Sequence, residues 1–375
     1  MDPRVREHAE TLVDWSARIE SGENVVVSVA EGAHDLAVAV AEVLGERGAN
    51  PAFTFAGDEV MGAYLRAHDG EFDPDPTHEE ALYAQADSAL LLGGGWNTAE
   101  LADVPGETMQ AYRRARTGIR EARMDTDWVS TVHPTRAMAQ QAGMSVDAYR
   151  DFVYGAVLRD WESLAGEMDR LKEILDEGTE VRIRKRGTDL TMRIDGRTAV
   201  NSAASVAYDS HNLPSGEVFT APYATSGEVT FDVPMTIRGR QVEDVRLEFD
   251  DGAVVAFEAA RNEEVIGEVL ETDEGARRLG ELGIGMNRGI DRVTDAILFD
   301  EKMGGTVHLA LGRAYDANLP EGESGNESAV HVDLITDMSE ESTFEVDGEV
   351  VQRNGTFRWE EGFDEGAGSG AGDSG

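Results

Sequence analysis

An excess of forty-one acidic side chains most narrows what this chain can be: 74 Asp and Glu stand against 33 Lys and Arg in 375 residues. Such a charge makes a compact state repel itself, and in a chain poor in apolar residues it leads to disorder. Here 41% of the residues are apolar, and the acids are interspersed with periodic apolar segments, so most of the chain reads as folded. The repulsion must then be screened, and in ~1 M salt the Debye length falls to about 3 Å. Only three of the basic residues are lysines: Lys172, Lys185 and Lys302. Arginine is more weakly hydrated and forks onto carboxylates, which suits a salt-rich interior. An acidic protein of an ordinary cell does not explain the shortage of lysine. The composition reads as halophilic.

The same charge repels nucleic acid and anionic membranes, so neither is expected as a partner. The chain has no cysteine, which excludes disulfides and thiolate chemistry. The opening MDPRVREHAE carries no apolar signal core, and no run reaches the ~18 apolar residues of a membrane span. The expected compartment is the cytoplasm.

In the first half, apolar runs alternate with helical periodicity. Residues 3–19 read as an amphipathic helix with Val5, Ala9, Leu12, Val13 and Ser16 on one face. Residues 24–30 (NVVVSVA) suit a buried parallel strand, and a helix from about His34 to Arg47 ends at Gly48. Further strands are expected at 51–55 and 88–92, the latter followed by Gly93, Gly94 and Gly95. Those glycines could approach a ligand, but they lack the dinucleotide fingerprint and fit a tight turn better. From Ser145, a suitable N-cap, to about Glu177 the pattern is helical. Beyond Gly178 strands dominate: a hairpin at 180–185 and 189–194, strands at 228–231, 242–249 and 254–259, a short helix at 274–280, and a hairpin at 344–353 turning on Asp347–Gly348. The expected fold is therefore α/β: an N-terminal open α/β domain over 1–177 and a β-rich α+β catalytic domain over 178–362. Residues 363–375, acidic and Gly-rich, are expected to be disordered.

The chemistry-bearing segments lie in the second half. The eight histidines include no pair four apart, so the helical His-Glu-x-x-His zinc motif is absent, as are a G-x-S-x-G elbow and a P-loop. In AVHVDLIT, read as a strand, His331 and Asp333 share one face and lie roughly 6–7 Å apart, close enough to grip one ion or an ion pair. The same pattern also fits a half-exposed strand with its polar side to water. His308, in GGTVHLALG, sits among small residues and suits either a core hydrogen bond or a ligand. Glu281, in LGELGIG, is flanked by Leu279, Leu282 and Ile284, where a carboxylate is costly unless a cation or hydrogen bonds offset it. Glu217 opens an apolar run after the turn at Pro214–Gly216. Together these supply three carboxylates and two imidazoles, enough for two borderline divalent ions.

Four ordered blocks, HNLPSGEVFTAP, DEGARRLGELGIGMN, EKMGGTVHLALGRAY and ESAVHVDLITDM, together with WVSTVHPTRAMAQQAGMS, carry a resemblance to the thermophilic aminopeptidase family (M29) of metallopeptidases. It runs from the first residues to about Met338. The resemblance implies metal ligands at Glu217, Glu281, His308, His331 and Asp333 and an active-site tyrosine at Tyr315. It further implies a homodimer acting on peptides with a free N-terminus, and the ligand set suits two divalent ions (Zn, Co, Mn or Mg). Glu281 is the first choice for the shared ligand and Asp333 the second, while the general base is not identified. Rival readings are a metal-dependent amidase or esterase, a catalytically inactive metal-binding protein, and a small-molecule module centred on Gly93–Gly95. His211 is a further polar contact but not an expected ligand. If the composition reflects salt adaptation, the thermal transition measured in ~0.1 M salt should be broad or lost and should return, sharp, at molar salt.

Overall fold

A computed structural model gives the fold and describes residues 2–364, so residues 365–375 of the expected disordered tail lie outside the described residues. The chain divides into two compact units. The first comprises Met1–Ala165, Ser202–Gly216 and Gly289–Phe299; the second comprises Gly166–Asn201, Glu217–Arg288 and Asp300–Gly375.

The first unit is built on a five-stranded parallel sheet, in the order Asn50–Ala56, Asn24–Ala30, Ser88–Gly93, Asp127–Val132 and Asn212–Leu213. Val25, Val26, Val27 and Val29 are all buried, as expected of a parallel strand covered on both faces. The helix following that strand spans His34–Arg47 and ends at Gly48 in the left-handed conformation (φ 73°), the terminus its sequence predicts. The expected helix over 3–19 is α-helical to Glu10 and widens into a π turn over Thr11–Ser16. Its five face residues are all buried. Ser145 caps its helix by accepting from the Ala148 N–H at 3.2 Å, and the helical stretch is two helices, Val146–Val157 and Trp161–Glu177. The glycines after Leu92 let two backbone segments meet: Gly32 N–H donates to Gly94 O at 2.7 Å, and a Cβ on Gly32 would lie 2.2 Å from that oxygen.

In the second unit, an eight-stranded sheet includes the expected hairpins Glu180–Lys185/Thr188–Arg193 and Thr343–Val346/Glu349–Arg353. The strand expected over 242–249 is interrupted. Asp244 takes a left-handed turn (φ 50°), so Arg240–Val242 joins a separate two-stranded ribbon and Val245–Asp250 joins the large sheet. The helix expected over 274–280 shrinks to one turn, Gly275–Arg277, because Leu279 already begins a buried strand. The second sheet of this unit runs His331–Asp337, Thr306–Gly312, Leu279–Gly285, Glu217–Thr220 and Val200–Ser202. Its first four strands are antiparallel. Every residue of the two central strands, Leu279–Gly285 and Thr306–Gly312, is buried. Polar side chains on them face no bulk water and must find partners within the protein. Among the described residues, no helix is long and apolar enough to cross a membrane.

Arginine forks brace the surface. Arg47 bonds Asp14 at 2.8 and 2.7 Å, and Arg182 bonds Asp189 at the same two distances. The first unit also buries a histidine. His8 is wholly inaccessible, with Nε2 2.8 Å from Thr131 Oγ1 and Nδ1 without a partner. Burial, with His133 nearby, pushes its pKa from 6.5 down to about 3. Because the folded pKa is depressed, the neutral ring contributes fully above pH 6.5, and that contribution is lost as pH falls from 6.5 towards 3. At pH 5 this amounts to about 2 kcal/mol. Denaturant melts should therefore show wild type losing about that much more stability between pH 7 and 5 than His8→Asn does.

Candidate metal centre

Strand register puts five polar side chains on one face of the smaller sheet of the second unit. Asp333 pairs with Ala310 and Ala310 with Glu281, so these three lie in one row across adjacent strands. His308 is two residues before Ala310, and His331 two before Asp333, so both imidazoles share that face. Glu217 pairs with Gly285, four residues beyond Glu281, and joins them. The intervening positions on this face are small: Ala310, Gly283, Gly285 and Gly312. Gly283 is required there, because a Cβ on it would lie 2.0 Å from His308 Nε2. Gly285 lets the loop before Thr306 lie against the strand, since a Cβ would meet Met303 O at 2.1 Å.

The side chains converge. Glu281 Oε1 is 3.0 Å from His308 Nε2, while its Oε2 is 3.5 Å from His331 Nε2. His308 Nε2 also faces Glu217 Oε2 at 3.5 Å, and His331 Nε2 faces Asp333 Oδ1 at 3.5 Å. Two groups result, Glu217–Glu281–His308 and Glu281–His331–Asp333, each with ligand atoms within 4.8 Å of one another. Glu281 belongs to both. The His331 ring is oriented by Nδ1–H donating to Arg313 O at 2.8 Å, which turns Nε2 towards the carboxylates.

The electrostatics show what the site demands. Two carboxylates about 5 Å apart repel by about 3 kcal/mol at an effective dielectric of ~20. Burial raises the Glu281 pKa, an effect that His308 only partly offsets. Burial also works against Asp333, but its bond to His331 and the two imidazoles carry it below the ordinary value. Both rings overcome burial to become cations: Glu281 and Glu217 lift His308 to about 10, and Asp333 lifts His331 to about 9. A divalent cation binding here displaces those protons and supplies the same charge. The donors fit such an ion. Glu217 Oε2 is buried without a hydrogen-bond partner, and the set of oxygens and imidazole nitrogens suits borderline and hard divalent metals.

Tyr315 stands at the edge, 45% exposed, with its ring 4.9 Å from that of His331 and its hydroxyl 3.5 Å from His331 Nε2. Phe219, two residues along the strand from Glu217, packs edge-on against it at 5.9 Å. All six residues named from the sequence thus meet in one region. His211 instead stacks on Trp128 at 4.4 Å and bonds the Trp128 carbonyl and Asp209. The sequence reading missed Lys302 and Glu301. Lys302 is wholly buried, 3.4 Å from Glu217 Oε1 and bonded to Glu301. Burial raises the Glu301 pKa to about 7 against the pull of Lys302. Burial opposes the Lys302 charge as well, yet Glu217 and Glu301 hold its pKa above the ordinary value. The available signal was a lysine kept in a chain that has almost none.

A sheet face bearing two overlapping carboxylate–imidazole groups has the donor set of a divalent-metal site. The chain belongs to the thermophilic metalloprotease (M29) family, whose model matches residues 1–357. It is 29% identical to aminopeptidase T of Thermus aquaticus over 91% of this chain and 93% of that protein. Aminopeptidase AmpS of Bacillus subtilis is 32% identical over 40% of this chain and 41% of its own length. The structure of wild-type AmpT from Thermus thermophilus matches with a TM-score of 0.84 at 26% identity, covering 95% of this chain and 99% of that one. A 2,5-dihydroxypyridine dioxygenase from Pseudomonas putida KT2440 shares the fold, with a TM-score of 0.59 at 13% identity over 96% of this chain and 97% of that one.

Gly283→Ala tests the packing on which the site depends. Its methyl group must displace the His308 ring, so calorimetric titration with a divalent metal should show affinity at least ~10-fold weaker, with the far-UV spectrum unchanged.

Proposed function

We propose that the protein is a dinuclear metallo-aminopeptidase whose site is Glu217, Glu281, His308, His331 and Asp333, with Tyr315 beside it. The observation that carries this reading is the division of Glu281, one carboxylate oxygen towards His308 and the other towards His331. That arrangement makes Glu281 the shared ligand of two adjacent sites, with Glu217 and His308 on one side and His331 and Asp333 on the other. Divalent ions held there supply Lewis acidity, polarising a peptide carbonyl and making a water nucleophilic near neutral pH.

The protein's own groups do the rest. A free amine offers a nitrogen lone pair that an acylated N-terminus lacks, so this reading requires a substrate with a free N-terminus. Burial and the surrounding carboxylates raise the Tyr315 pKa, so its phenol stays protonated and can donate to the oxyanion of the tetrahedral intermediate. The contact at 3.5 Å to His331 is at the limit of a hydrogen bond, which leaves that proton available for substrate. The central strands, buried throughout, exclude bulk water from behind the ligands. We place the protein in the cytoplasm as a homodimer. Exposed Phe55, Val60 and Trp96 on the first unit offer apolar surface for association.

Protein stripped by a chelator should lose hydrolysis of an amino-acyl anilide and regain it with cobalt or zinc. A peptide with a free N-terminus should be cleaved and its acetylated form left intact; equal cleavage would favour a general amidase or esterase. Glu281→Gln removes the shared ligand and should lower kcat by more than ~100-fold, beyond the usual cost of losing a supporting contact, while the thermal transition persists.

A further inference from the structure

Lys302 is a charge in an expensive place. Its side chain has no access to solvent, in a chain that has only three lysines. A buried ammonium is retained only where hydrogen-bonded anions compensate it. Its two anions are Glu301, its neighbour in sequence, and Glu217 Oε1 at 3.4 Å. The backbone around it is fixed: Asn287 N–H donates to Lys302 O at 3.1 Å, Gly304 N–H to Asn287 O at 3.0 Å, and Gly305 N–H to Gly285 O at 3.2 Å. Gly285 is also the residue paired with Glu217 in the sheet, so lysine and glutamate are held by the same stretch of strand. Glu217 therefore has two unlike oxygens. Oε1 faces the ammonium, whereas Oε2 is buried, lacks a hydrogen-bond partner and faces His308 Nε2 at 3.5 Å.

We propose that Lys302 is a positioning residue of the metal centre, holding Glu217 Oε1 so that Oε2 alone is presented to the cation bound by Glu217, Glu281 and His308. The inference rests on the dinuclear reading and adds the residue that sets how Glu217 binds. A carboxylate free on both oxygens can swing or chelate; one oxygen held by an ammonium fixes a single ligand direction. Glu301 completes the arrangement by balancing the ammonium without reducing the charge of the ligand set.

A positioning role and a simple counter-charge predict opposite results. Removing a mere counter-charge would leave a more negative pocket and tighten cation binding; removing a clamp loosens it. Two variants separate these: Lys302→Met, and the pair Glu301→Gln with Lys302→Gln, which keeps the net charge by removing the Glu301 carboxylate together with the ammonium. The probe is cobalt(II), titrated into the metal-free full-length protein in molar salt and followed by calorimetry and visible absorption. Wild type should bind two equivalents. In both variants one equivalent should keep its affinity and spectrum, and the other should bind at least tenfold more weakly with an altered d–d band. Thermal melts establish folding, and the charge-neutral pair carries the test if Lys302→Met does not fold. Unchanged or tighter binding of both equivalents overturns the proposal. Absence of cobalt binding by wild type would overturn the dinuclear reading and this inference together, whereas binding without peptide cleavage would remove the peptidase assignment and leave the role of Lys302 standing.

Discussion

Carboxylates forced together out of water are the constraint around which the second unit is organised. Glu217, Glu281 and Asp333 project from neighbouring strands onto one face, and Glu301 lies close behind. Like charges this close and this shielded from solvent tolerate one another only when cations stand among them. The protein provides one permanent cation in Lys302 and two conditional ones in His308 and His331. A metal held by those imidazoles would compete with their protons, coupling its affinity to pH.

The sheet bears this load through its small residues. Gly283, Gly285 and Ala310 keep the face clear, so imidazole and carboxylate groups lie over the strands with no intervening bulk. A larger residue at Gly283 would occupy the space of the His308 ring. The five polar side chains come from strands rather than loops, and the antiparallel ladder fixes their spacing. The dioxygenase that shares this fold at 13% identity shows how little the architecture says about reaction. Reaction class lies in the side chains on the face.

Much was legible along the chain. The valine run over Asn24–Ala30 and the helix His34–Arg47, with Gly48 at its end, follow from periodicity and a single left-handed residue. Alternation in AVHVDLIT and GGTVHLALG indicated which residues share a face. Other features were hidden because they depend on partners distant in sequence. Asp244 breaks a continuous β pattern because its two halves belong to different sheets. Residues 274–280 have a helical pattern, but burial of Leu279, Leu282 and Ile284 draws the chain into a strand first.

From sequence alone came the donor types, their faces and the charge that surrounds them, because side-chain direction in a strand and ionic character are local properties. Tertiary structure decided that residues 217, 281, 308, 331 and 333 meet, that Glu281 divides its oxygens between two imidazoles, and that a lone buried lysine stands behind Glu217. Those outcomes depend on strand order and register, which chain segments far apart in sequence settle only by packing against one another.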